Sequence, residues 1–395
     1  MKYIRYFYFL GLYLAPILFI ELAFQYIYRF DLLSRSWAWS GMVKPSLLPN
    51  GLPAKADYIY DSRWAGTPSE SPSRGPVRLR TDKYGTILPS GLSRASKDTS
   101  SGYVLFCGGS TTESSSVSEG FRPADVFAKL SKQGAVNAGK SGKDMYGCIE
   151  TIDGIFRLAT KRPSRIVIAT NVNTLMSFAQ EKIRNQGSLS ASVVKNSVKD
   201  SHLSADPLYS IKKYILQVFP GISRFATKLR IENSPYAEQE FGLISGCCHG
   251  ASEVNRYSSN FDWNSDELKL EYAQHVENGL NQLKAVLLKH DFPAENVLIF
   301  KEPHSFSFKV WPSWPDYRQW LSDYNGRQLN SQESSQITDN FDELYANLFL
   351  NAGFKVLAFP EEKLSSEYFI DAVHLTSKGA FEIGKYYAQV ISLLR

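Results

Sequence analysis

The chain has 395 residues, 43% of them hydrophobic, which is enough apolar side chain for a sizeable core and too much for a disordered tail. Its formal net charge of +5 is mild and spread along the sequence without a basic tract, which argues against a nucleic-acid binder. Four cysteines are too few for a disulfide scaffold at this length, and Gly246-Cys247-Cys248-His249 lacks the usual ligand spacing, so neither a metal nor a cofactor is expected, while a disulfide at Cys247 or Cys248 stays open.

After Lys2 and Arg5, the stretch from Tyr6 to Tyr28 is apolar and aromatic apart from Glu21 and Gln25. It is long enough to cross a bilayer, and no clear small-x-small cleavage site follows, so residues 1–30 read as a membrane anchor rather than a cleaved leader. Lys2 and Arg5 favour a cytoplasmic N-terminus, with Arg29 and Arg35 on the opposite flank. Residues 31–100 are rich in Pro, Gly and Ser over much of their length and read as a linker and loop-rich lead-in.

The core opens near Tyr103, where Val104-Leu105-Phe106-Cys107 runs into Gly108-Gly109. An apolar run meeting two glycines predicts a buried strand that ends in a sharp turn and displays Ser110 at its tip. Ser110-Thr111-Thr112-Glu113 also fits a capping box, in which the serine only satisfies the first N–H groups of a helix. Further strands are predicted at Ala135–Ala138, Arg165–Thr170, Val297–Phe300 and Phe354–Ala358, separated by helical patterns such as Tyr272, Val276, Leu280, Leu283 and Leu287. Cys107 in the first strand and Cys148 in a helix read as buried thiols. Alternating strand and helix predicts a parallel sheet covered on both faces. A long polar insertion at about 177–264 interrupts the pattern; within it Leu208, Ile211, Ile215, Val218, Ile222, Phe225 and Leu229 keep helical spacing, as a cap on the core or as a membrane-surface helix.

In such a sheet the loops after the strands' carboxyl ends converge on one edge. Those loops contain Ser110, the run Asn137 to Gly142, Asn171-Val172-Asn173, Lys301-Glu302-Pro303-His304 and Asp371-Ala372-Val373-His374. A serine hydroxyl needs a base to take its proton, and imidazole needs an acceptor on its other nitrogen. His374 and Asp371 supply both. The N–H groups of Ser110 and Gly142 and the side-chain amide of Asn173 are the candidate donors for the oxyanion that forms. Trp311 and Trp314 offer faces for stacking on a sugar and His304 offers a polar contact to it; core packing is the competing role for the two tryptophans. A rival signal is Gly134-Ala-Val-Asn-Ala-Gly139-Lys140-Ser141, which satisfies the phosphate-loop pattern. That motif must follow a strand, whereas the residues before Gly134 read as a helix and the strand falls inside the pattern.

With these blocks in order, the chain resembles the SGNH (GDSL-like) hydrolase superfamily from Tyr103 to the C-terminal end. Ser110 in GGST stands for the nucleophile, Gly142 in NAGKSG for the second block, Asn173 for the third, and Asp371 and His374 for the base pair. The first block reads Gly-Gly-Ser where Gly-Asp-Ser is frequent, and the third reads Asn-Val-Asn-Thr where Gly-x-Asn-Asp is usual. The resemblance implies a flavodoxin-like three-layer α/β/α sandwich on a five-stranded parallel sheet, and ester chemistry. The anchor, the GGST block and the Arg80 to Gly85 run look like bacterial membrane-anchored members associated with envelope polysaccharides. The implied protein is single-pass in the cytoplasmic membrane with its catalytic domain outside, acting on acylated glycan or small esters by hydrolysis or by transfer with an integral-membrane partner. The alternatives are a catalytically silent binding subunit of a glycan-modifying assembly and, less favoured, a nucleotide binder.

Overall fold

The computed structural model describes residues 46–52, 54–55, 57–61, 76–95, 102–115, 117–179, 181–182, 262–304, 331–369 and 373–394, together with Ala15, Pro16 and Phe19. Nearly all of the expected anchor and insertion, along with Cys247, Cys248, Trp311, Trp314 and Asp371, lie outside these residues. Among the described residues no helix is long and apolar enough to cross a membrane. The chain divides into two units, Met1–Val43 with Ser188–Cys248, and Lys44–Gly187 with His249–Arg395. The second unit carries both sheets and all the expected catalytic residues.

Two short strands, β1 (Asp57–Asp61) and β2 (Pro76–Arg80), form an antiparallel pair. The main sheet contains β3 (Tyr103–Gly108), β4 (Gly134–Asn137), β5 (Pro163–Ala169), β6 (Val297–Lys301) and β7 (Lys355–Ala358). All its pairings are parallel and its order is β4-β3-β5-β6-β7. Counted within this sheet, that is the 2-1-3-4-5 winding of flavodoxin-like folds. It is the arrangement the SGNH resemblance implies.

The helices are α1 (Leu92–Ala95), α2 (Ser110–Glu113), α3 (Pro123–Ser131), α4 (Met145–Leu158), α5 (Asp266–Lys289), α6 (Ser331–Asn351) and α7 (Ser377–Leu393), with one more over 171–179. Strand alternation sends successive side chains to opposite faces. Leu105 and Cys107 join the core made with α4, α5 and α6, whereas Val104 and Phe106 join the core made with α3 and α7. Along α5 the predicted stripe Tyr272, Val276, Leu280, Leu283 and Leu287 is buried. Its entry is fixed by Ser265, whose side chain accepts a hydrogen bond from the Leu268 N–H.

The lead-in differs from the expected linker. Leu79, Thr86, Ile87 and Leu92 have no exposed surface, and the Ile87 N–H donates to the Asn137 carbonyl at 2.8 Å while the Asn137 N–H donates to the Ser90 carbonyl at 2.6 Å. The edge of β4 is therefore closed by this segment. Arg122, fully buried, donates to the carbonyls of Arg78 at 2.6 Å, Leu88 at 3.2 Å and Ser114 at 3.3 Å. One guanidinium thus ties the lead-in to the residue that ends α2.

Candidate active site

Ser110 is the first residue of α2, with Gly109 at the N-cap and no side chain capping the turn. The capping-box role is thereby overturned: the Glu113 carboxylate turns away, is fully buried, and accepts from the N–H of Ser141 in the loop after β4. Glycine is required at both preceding positions by close approach. A β-carbon on Gly108 would lie 2.1 Å from Thr112 Oγ1 and 2.4 Å from the Ala169 carbonyl, and one on Gly109 would lie 1.5 Å from Asn173 Nδ2. The Asn173 amide is therefore packed onto the backbone immediately before the serine.

The loop after β4 is drawn to the same place. Asn137 accepts from the Gly139 N–H at 2.9 Å and donates to the Thr112 carbonyl at 3.0 Å, and the Lys140 N–H donates to the Gly108 carbonyl at 3.0 Å. A β-carbon on Gly139 would sit 2.3 Å from the Glu113 nitrogen, so the loop presses against α2. Gly142 has φ +73°, the left-handed region that suits glycine, and faces open space. Asn173 lies in the first turn of the helix over 171–179, not in a loop as expected, and one of its amide hydrogens goes to the Lys143 carbonyl at 3.2 Å. The Asn173 amide and the loop that bears Gly142 are thus both packed against the turn that carries Ser110.

The base segment follows β7. A bridge pairs Phe369 with Leu375, and the Thr376 N–H donates to the Tyr368 carbonyl at 2.8 Å. Thr376 then caps α7 by accepting from the Gly379 N–H at 3.2 Å. His374 thus lies three residues before the start of α7 and is half-buried. Asp371 lies outside the described residues, as do Trp311 and Trp314.

Sequence reasoning missed the polar cluster after β6. Glu302 is 3% exposed and accepts from the Thr111 hydroxyl, while its own N–H donates to Asn171 Oδ1 at 3.0 Å. His304, expected to face substrate, is instead 6% exposed, with Nε2 lying 3.2 Å from Asp339 and 3.8 Å from Asp342 on α6. Burial pushes the Asp342 carboxyl up to about 6, against the favourable influence of His304 and the nearby Asn171 amide. Neither Asp342 oxygen closes a hydrogen bond among the described residues. The residues around Glu302 in the sequence signalled a loop at the sheet edge, but nothing local marked its carboxylate as buried.

The phosphate-loop pattern is not realised. β4 begins at Gly134, so the strand occupies the pattern's first half, and the next helix opens only at Met145. No protein-family model matches the chain, and no curated protein matches it. Among solved structures it is similar to a protein from Desulfitobacterium hafniense DCB-2 described as lipolytic and of the G-D-S-L family, at 10% identity and a TM-score of 0.33, covering 73% of this chain and 99% of that one. With so low a score, the reading of the site rests on its own geometry.

Proposed function

We propose that this chain is a serine hydrolase of the SGNH kind, forming an acyl-enzyme at Ser110. The observation that carries the reading is the Asn173 amide packed against Gly109, immediately before Ser110, with the loop that leads to Gly142 held to the same turn through Lys140 and Ser141. In this reading His374 takes the proton from Ser110 as its Oγ attacks an ester carbonyl. Asp371 orients the imidazole and stabilises its cation. The carbonyl oxygen, now an anion, is held by the N–H groups of Ser110 and Gly142 and the Asn173 amide until the C–O bond to the leaving alkoxide breaks and His374 returns the proton to it. Water then releases the acid, or an acceptor hydroxyl carries the acyl group away; the same residues serve both outcomes.

The substrate we propose is the O-acyl ester of an envelope glycan, met outside the cytoplasmic membrane to which residues 6–28 anchor the chain. The support is the apolar N-terminal stretch. The test is labelling of the full-length protein with a fluorophosphonate, which reacts only with an activated serine. Labelling lost in Ser110→Ala supports the reading; an unlabelled, folded wild-type protein refutes it.

A further inference from the structure

Glu302 belongs to none of the proposed catalytic groups, yet it meets the segments that bear them. Its carboxyl accepts from Thr111, the residue after the nucleophile. Its N–H holds Asn171, two residues before Asn173 on the same helix. Across the site it interacts electrostatically with His374. We propose that Glu302 is a positioning residue for ester cleavage: through Thr111 its carboxyl fixes the turn that aims Ser110 at the substrate. This rests on the serine-hydrolase reading above.

The surroundings explain why a hydrogen bond at this point has directional force. Thr111 and Glu302 line a cavity of about 20 Å³ whose other walls include Phe106, Val167, Phe300 and Tyr387. In a setting so largely apolar, a lost partner leaves a polar group stranded, and the cost of stranding it falls on the turn. The groups facing Glu302 are Asp342 and Tyr345 from α6, Tyr387 from α7 and His374. Burial, reinforced by Asp342 and opposed by His374, holds the Glu302 carboxyl well above the usual carboxylate range. Glutamine keeps the length of the side chain and an acceptor oxygen for the Thr111 hydroxyl, and is therefore the conservative replacement.

The experiment compares wild type with Glu302→Ala, Glu302→Gln and Thr111→Val in p-nitrophenyl acetate turnover and in the rate of fluorophosphonate labelling. Glu302→Ala and Thr111→Val are expected to lower kcat by about 10- to 100-fold with KM nearly unchanged, the scale set by a misaimed reacting group. Both should slow labelling in parallel. Glu302→Gln should restore most of the rate and keep the pH profile of wild type. Should the alanine variant fail to fold, Thr111→Val, which deletes only a hydroxyl, still tests the contact. Wild-type labelling rates in Thr111→Val, or a glutamine variant as impaired as alanine, would overturn the proposal while leaving the hydrolase reading standing. A wild-type protein that is itself unlabelled removes both.

Discussion

A single methyl group on Gly109 would fall 1.5 Å from the Asn173 amide nitrogen, so the nucleophile turn and the oxyanion donor exclude any side chain between them. Gly109→Ala is expected to displace that amide and lower kcat on p-nitrophenyl acetate by about 10²–10³, as Asn173→Ala should, because an oxyanion donor is lost in either case. The double variant should then be no worse than Asn173→Ala alone. Lys140→Ala, by contrast, should leave turnover intact, since it is the Lys140 backbone N–H that holds the loop to Gly108. A second prediction concerns Asp342, whose carboxyl is pushed up to about 6 by burial. A carboxyl raised above its unfolded value costs stability where it is ionised, so the penalty is full above the folded pKa and fades as pH falls toward the unfolded one. Asp342→Asn should therefore raise the melting temperature at pH 8 and lose that advantage by pH 4; an equal shift at both would contradict it. Ser110, Gly142 and Asn173 could be singled out in the sequence because each lies within five residues of the end of a readable strand, and His374 because of its spacing from Asp371. Glu302 was not, because burial of a carboxylate is decided by α6 and α7, which are remote in the chain.

At the scale of elements, the strands of the main sheet could be placed to within a residue or two because each is a short apolar run, and α5 because its stripe repeats at helical spacing, whereas β1 and β2 went unread. The lead-in had no such period. Its contribution comes from isolated residues, Leu79, Ile87 and Leu92, pinned by hydrogen bonds to β4 and by Arg122, and irregular backbone of this kind reads as a linker. Arg122 lies 3.9 Å from Asp125, which Ser90 holds at 2.6 Å and the Gly120 N–H at 3.0 Å. Removing the guanidinium leaves a buried carboxylate and several carbonyls uncompensated. Arg122→Met is expected to cost about 3–5 kcal/mol in urea denaturation, the range for breaking one side of a buried pair. A loss under half that would mean the lead-in is held mainly by its apolar contacts.

Across the whole molecule, Ser110, Gly142 and Asn173, the proposed nucleophile and oxyanion donors, follow three adjacent strands, β3, β4 and β5, whereas His374, the proposed base, comes after β7, the last strand on the other side of the sheet. His374 reaches its station because α7 packs on α3: Gly384 lets the helices close so far that a β-carbon there would meet the Pro123 carbonyl at 2.7 Å. Arg165, on β5, fastens the far end of α7 by donating to the Ile391 carbonyl at 3.1 Å. Gly384→Leu should therefore lower the melting temperature and abolish labelling of Ser110 together, without any change near the serine. The same packing orders events during synthesis. A nascent chain that has already released Ser110, Gly142 and Asn173 from the ribosome carries only an ordinary alcohol among its donors. On the proposed reading its reactivity begins when α7, translated after every other helix described, leaves the exit tunnel and seats the His374 imidazole.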